Sequence, residues 1–203
     1  MLGNTVVHME GNMSFTENSA DQVGGAIALV NSPLWTLFRG TASLVGNSAR
    51  QGSAVAFSRV SKGSLHDLYF ANNTASVGGT VFWVKDAVMQ VEPAGLNSTS
   101  IVWDSNTALQ YGPQVATQAI TVLGPDVYDV HAYGTALSPA PVFTLRDYYG
   151  QDMPIESPSA MQAVLVSTNR SQCAGFTPAL SGELTVVMNA SAAFDAVEEE
   201  CAP

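Results

Sequence analysis

The 203-residue chain carries 7 Lys and Arg against 17 Asp and Glu, a net charge of −10, with only 12% of its residues charged. That balance excludes nucleic-acid binding, which needs a basic footprint, and no run of about eighteen apolar residues exists that could cross a membrane as a helix. The length suffices for one large or two small domains.

In chain order, Met1-Leu2-Gly3-Asn4 lacks the basic and then apolar pattern of a signal peptide, and Thr5 to Met9 already reads as a strand. The chain is therefore expected to be a segment of something longer, with its first coils and any signal peptide upstream. From Met13 a pattern begins that recurs four times: Phe15-Thr16-Glu17-Asn18-Ser19-Ala20, Leu44-Val45-Gly46-Asn47-Ser48-Ala49, Phe70-Ala71-Asn72-Asn73-Thr74-Ala75 and Trp103-Asp104-Ser105-Asn106-Thr107-Ala108. Asn18, Asn47, Asn73 and Asn106 stand 29, 26 and 33 residues apart. A glycine step follows each asparagine (Gly24-Gly25, Gly52-Ser53, Gly78-Gly79, Gly112-Pro113), and then a short apolar strand: Ala26 to Val30, Ala54 to Phe57, Thr80 to Val84, Gln114 to Thr117. Further β-rich runs lie between repeats, at Leu34 to Phe38 and Val88 to Val91. No stretch carries a helical stripe.

A period of this size, made of about three short strands and three turns, predicts stacked units that cannot bury their apolar faces alone. It is the coil of a parallel β-helix, here about four coils over residues 1–122. Stacked coils lie about 4.8 Å apart, so Phe15, Leu44, Phe70 and Trp103 are expected to form an internal apolar column. The four asparagines are expected to form a ladder at a corner, their amides satisfying backbone groups of the turn and of the next coil. Glycine permits the sharp corner beside it.

Phe15 to Asn18, Phe70 to Asn73 and Gly24-Gly25-Ala26-Ile27 resemble the polymorphic outer-membrane-protein repeat, marked by a Phe-x-x-Asn segment and a Gly-Gly-Ala-Ile segment. The copies with Leu44, Trp103, Gly52-Ser53, Gly79-Thr80 and Gly112-Pro113 depart from it. The resemblance covers roughly residues 1–120. It implies a right-handed parallel β-helix on a cell-surface or secreted protein, with roles in adhesion or scaffolding.

Around residue 120 the repeat ends. A Pro-rich hinge at 138–141 (Ser138-Pro139-Ala140-Pro141) precedes an alternating strand from Val142 that closes on the turn signature Asp147-Tyr148-Tyr149-Gly150-Gln151. Two more alternating runs, Met161 to Ser167 and Gly182 to Asn189, complete the reading of residues 123–203 as a small antiparallel β-sandwich. The strand and its turn are similar to the immunoglobulin-like domains that follow such β-helices in large surface proteins of some unicellular eukaryotes. The other reading is a C-terminal cap over the open end of the helix, which a solenoid needs.

Both cysteines, Cys173 and Cys201, fall in this part. In a secreted chain two cysteines in one small domain suggest a disulfide; alternatively Cys201 opens a cysteine-rich module further on. Neither has a His or second Cys at ligand spacing, so no metal is expected. Sequons stand at Asn12, Asn72, Asn97, Asn169 and Asn189, of which Asn97 lies in the longest inter-repeat insertion and is the best glycan acceptor. The ladder asparagines are not sequons.

An enzyme on this fold needs carboxylates gathered on one face. The repeat region offers Glu10, Glu17, Asp21, Asp67, Asp86, Glu92 and Asp104, of which Asp21 and Asp104 stand at different offsets from their ladder asparagines and form no column; His8, His66 and His131 are scattered, and Glu198-Glu199-Glu200 reads as a solvated acidic end. No glycine step is a phosphate cradle. The reading is a non-catalytic, cofactor-free structural segment of an extracellular or cell-surface protein, a rigid spacer or assembly surface. Its partners would be neighbouring domains of the same chain and other extracellular or filament subunits. One alternative is an adhesion module that binds glycans or another surface protein through the helix flank, expected if Trp35, Trp83 and Tyr69 share one outer face. The other is a carbohydrate-active lyase or hydrolase.

Overall fold

The computed structural model describes residues 9, 11–31, 41–60, 63–86, 89–124 and 142–153 in full, and strand backbone alone at 6–7, 34–35, 159–162, 177–181, 185–188, 191–193 and 198–202. These residues are all-β, with no helix, and the chain divides into two compact units: residues 1–120 with 147–151, and residues 121–146 with 152–203.

The first unit is a parallel β-helix. Its strands are β1 (Val6–Val7), β2 (Met13–Thr16), β3 (Ile27–Val30), β4 (Leu34–Trp35), β5 (Ala42–Val45), β6 (Ser48–Gln51), β7 (Val55–Ser58), β8 (Leu68–Ala71), β9 (Thr74–Gly78), β10 (Val81–Trp83), β11 (Ile101–Asp104), β12 (Thr107–Ala108) and β13 (Val115–Thr117). They stack into the sheets β11-β8-β5-β2, β12-β9-β6 and β13-β10-β7-β3, with a short β1-β4 pair, and every pairing is parallel. Leu34 to Phe38 is strand at Leu34–Trp35, its remainder lying outside the described residues; Met89 to Val91 is not strand, and Val88 lies outside. That run sits in the insertion before β11, where Asp86 fixes the backbone instead: its carboxylate accepts from the Met89 amide at 2.8 Å.

Side chains one coil apart stand in register. Phe15 pairs Leu44, Leu44 pairs Phe70, and Phe70 pairs Trp103, whose ring stacks on Phe70 at 4.7 Å between centroids and 13° between planes. Ile27, Val55, Val81 and Val115 form a second column, and Leu29, Phe57, Trp83 and Thr117 a third. Leu44, Phe57, Phe70 and Trp83 are wholly buried. Each such side chain contributes about 1.5–3 kcal/mol by leaving water, and no coil could provide that burial without its neighbours.

The glycine steps have a steric cause. Gly24, Gly52, Gly79 and Gly112 all take left-handed φ, between 59° and 77°. A Cβ on Gly52 would come within 2.5 Å of the Val55 carbonyl, and Gly24, Gly79 and Gly112 face the equivalent carbonyls of Ile27, Val81 and Val115. The second repeat is one residue shorter between its asparagine and this glycine than the other three. The register slip between Ala49 and Gln51 against β9 absorbs the difference, so Gly52 and Gly79 still coincide across the stack.

The second unit pairs its strands antiparallel. β14 (Thr121–Leu123) joins β15 (Val142–Arg146), which joins β19 (Ser191–Ala193); β16 (Ser159–Gln162) joins β18 (Thr185–Met188); β17 (Thr177–Ser181) joins β20 (Glu198–Ala202). The run Glu198-Glu199-Glu200, read as a solvated acidic end, is strand in its backbone, with Ala179 opposite Glu200. Three consecutive glutamates carry no alternation, so the pattern gives no strand signal, yet backbone pairing requires none. The hinge at 138–141, Cys173, Asn169 and Asn189 lie outside the described residues.

Candidate functional site

The first unit carries two organised sites, the asparagine corner with its end plug and the outer face beside it. At the corner, the backbone N–H and the Nδ2 of Asn18 both donate to Oδ1 of Asn47, at 3.0 and 2.9 Å. Asn47 does the same to Asn73 (2.9 and 3.0 Å), and Asn73 to Asn106 (3.1 and 2.9 Å). The second Nδ2 hydrogen goes to a carbonyl one coil back: Asn47 to Phe15, Asn73 to Leu44, Asn106 to Phe70, at 2.8–3.0 Å. Asn47 and Asn73 are completely buried and completely satisfied. These are the bonds that buried amides require.

The residue before each ladder asparagine bends the chain. Glu17, Gly46, Asn72 and Ser105 all have φ between 51° and 67°. The sequence placed a corner at the asparagines, but three of these four residues are not glycine, so it did not mark the left-handed bend before each one. A non-glycine residue in the left-handed region costs roughly 1 kcal/mol. Glu17→Gly and Ser105→Gly, both exposed, are therefore expected to hold or raise stability by up to about 1 kcal/mol each. Denaturant midpoints of the two variants check this, and a loss above that size would contradict the assignment.

The turn Asp147–Gln151 closes the edge of β13. Asp147, 2% exposed, accepts from the Thr117 amide (3.2 Å) and from the amides of Tyr149 and Gln151 (2.9 Å each). The Tyr148 amide donates to Thr117 Oγ1 at 2.9 Å, and Gln151 Nε2 donates to the Val115 carbonyl at 3.0 Å. Below them Trp83 Nε1 donates to the Tyr149 hydroxyl at 2.9 Å, which donates to Glu92 at 3.1 Å. Burial raises the Asp147 carboxyl above its ordinary range, opposed by the three amides it accepts from. Burial likewise raises the Tyr149 phenol, so it stays a neutral donor.

The outer face of the β11-β8-β5-β2 sheet holds a groove of about 480 Å³. Two columns line it: the polar Asn12, Thr41, Asp67 and Ser100, then the mixed Ser43, Tyr69 and Val102. Thr41 Oγ1 donates to Asn12 Oδ1 at 2.9 Å, and the Asp67 amide donates to Ser100 Oγ at 3.0 Å. Tyr69 donates its hydroxyl to Asp104 Oδ2 at 3.0 Å, and that carboxylate raises the phenol's pKa. The first column was legible and missed: each member stands six residues before a ladder asparagine.

The structure scatters the remaining expected residues. Trp83 is core while Tyr69 is exposed, and Trp35 is described only in its backbone, so the shared aromatic face is not formed by Trp83. Trp83 follows an inward register position, because its strand alternates about Val81 and is covered on both faces. Glu17, Asp21, Asp67 and Asp104 are exposed, Glu92 holds Tyr149 and Asn97, and Asp86 holds Met89. Glu10, His8 and His131 lie outside the described residues. Among the described residues no group of three or more His, Cys, Asp or Glu is placed to hold a metal. Asn12, Asn72 and Asn97 are exposed; Asn97 Nδ2 donates to Glu92 Oε1 at 3.1 Å. Cys201 lies on β20, with Pro178 opposite.

Against known proteins, the region that begins the stack stands out. Residues 12–29 match the Chlamydia polymorphic membrane protein repeat. The match takes in Phe15, Asn18 and the Gly24-Gly25-Ala26-Ile27 step, the residues that here form the first ladder position, the apolar column and the left-handed corner. The parallel β-helix of this unit thus opens on a segment similar to that repeat. No curated protein and no solved structure matches the chain.

Proposed function

We propose that the chain is a non-catalytic structural segment of a larger extracellular or cell-surface protein, serving as a rigid spacer or assembly surface. The observation that carries this reading is the unbroken Asn18-Asn47-Asn73-Asn106 ladder, which ties every coil to the next through side chains as well as backbone. Surface placement is supported by the likeness of residues 12–29 to a membrane-protein repeat. The second unit is read as an immunoglobulin-like module, supported by its antiparallel pairing, and Cys173 and Cys201 as its disulfide. Asn97, exposed in its loop, is the first glycan acceptor, with Asn72 next. Partners are neighbouring domains of the same chain and further extracellular or filament subunits.

Antibody labelling of intact, non-permeabilised cells, with intact-mass analysis of native material before and after reduction and deglycosylation, tests the reading. Surface label, a bonded cysteine pair and a glycan on Asn97 are expected. A purely intracellular signal with both thiols free and Asn97 bare overturns the placement. Release of reducing ends from acidic or neutral polysaccharides by the purified chain would replace the structural role with an enzymatic one.

A further inference from the structure

A spacer needs a polar outer surface, but the outer face of the β11-β8-β5-β2 sheet is organised beyond that need. Its lining alternates amphoteric groups with one aromatic ring. The Asn12 amide and the Thr41, Ser43 and Ser100 hydroxyls can each donate and accept. Asp67, exposed, adds a carboxylate that accepts only, on a backbone fixed at φ 54°. Tyr69 is 39% exposed, and its hydroxyl reaches Asp104 on the neighbouring strand, which holds the ring across β11 rather than free in solvent. Val102, 51% exposed, lies beside it in register and extends the apolar patch.

We propose that this groove binds a neutral oligosaccharide, with Tyr69 as the stacking platform and Asp67 as the acceptor for a pair of sugar hydroxyls. Sugar hydroxyls are themselves amphoteric, so they match Asn, Thr and Ser groups without fixed polarity. The C–H face of a pyranose matches an aromatic ring already anchored through its hydroxyl, so that less ordering is lost on binding. The groove crosses the strands, so a linear glycan laid in it meets a new polar side chain about every 4.8 Å, close to the advance of one hexose unit. No Lys or Arg is among the described lining residues. An acidic polymer would therefore meet Asp67 and Asp104 uncompensated, on a chain of net charge −10. One ring and a few solvated hydrogen bonds place the affinity of a single groove in the millimolar range.

The test is titration of the full 203-residue chain, made in a host without N-glycosylation, with hexamers of β-linked glucose, of β-linked N-acetylglucosamine and of mannose. A hexamer of galacturonate is the acidic arm. Saturable binding of at least one neutral hexamer, read by calorimetry or by amide shifts at Tyr69 and Asp67, is expected. Tyr69→Ala should weaken it about fivefold to tenfold, the worth of one aromatic contact, and Asp67→Asn about threefold or more. Asparagine tolerates the left-handed backbone of that position, so Asp67→Asn keeps the fold. Tyr69→Phe keeps the ring but frees it from Asp104, and should fall between wild type and Tyr69→Ala. Leu109→Ser, an exposed change outside the groove, should leave binding as it is. Absence of binding to every neutral hexamer, binding of galacturonate alone, or binding untouched by Tyr69→Ala and Asp67→Asn with melting temperatures unchanged each overturns the proposal.

Discussion

Replacing Asn73 with Leu is expected to cost the first unit about 3 kcal/mol. The volumes are similar, so the penalty arises from hydrogen bonding rather than from a cavity. The Asn73 side chain accepts from the Asn47 amide and Nδ2, and donates to the Leu44 carbonyl and to Asn106. Leucine strips partners from the backbone at Asn47 and Leu44 in a region that water does not reach, and an orphaned buried polar group costs about 1–3 kcal/mol. Asn18→Leu, at an exposed end of the same ladder, should cost a third of that or less. Urea unfolding of the two variants makes the comparison. Equal losses at both positions would mean the ladder adds nothing beyond what each residue does alone.

The second large effect is expected at the plug. Asp147→Ala should lower the stability of the last coil by about 2–3 kcal/mol, since three amides lose their acceptor at once. The loss stays local if the turn lifts off and hydrates. Amide exchange at Thr117 and Val115 should then rise sharply, while exchange at Leu44 and Phe70 moves little. Acidity gives a second handle. The folded carboxyl titrates above its ordinary value of 3.8, so the folded state keeps its proton at pH values where the unfolded chain has lost it. The contribution of this group is thus fully present below that ordinary value and declines as pH rises through the folded pKa. Asp147→Asn removes the titration and keeps one acceptor. The stability difference between wild type and Asp147→Asn should therefore drift against the wild type as pH rises through that window. A flat difference would contradict the direction.

What the sequence revealed and what it hid divide along a physical line. The asparagines and their apolar partners were legible because each function belongs to a side chain, and side chains are what a repeat preserves. The left-handed corner at Glu17, Gly46, Asn72 and Ser105 was not, because four different residues take one backbone shape and only one is glycine. Asp147–Gln151 was legible as a turn, yet its partners Thr117 and Trp83 lie 30 to 66 residues earlier, a separation that no local pattern encodes. Trp83 and Tyr69 look alike in composition, but Trp83 stands on a three-residue strand buried on both faces and Tyr69 on the exposed face of a four-residue one. On strands that short, alternation is too brief to decide. The groove column at Asn12, Thr41, Asp67 and Ser100 lay at constant spacing, but four unlike polar residues share no letter.

The amides of the corner also have a direction. From Asn18 to Asn106 every bond between asparagines runs from an N–H of the earlier coil to an Oδ1 of the later one, so the row is a vector, with an acceptor at its head and donors at its tail. Aligned bonds of this kind polarise one another. A turn of chain inserted in the same sense would find the same request on either side of it; one inserted backwards would confront oxygen with oxygen. Duplication or loss of a single repeat can therefore lengthen or shorten the rod without redesigning its neighbours, and inversion cannot.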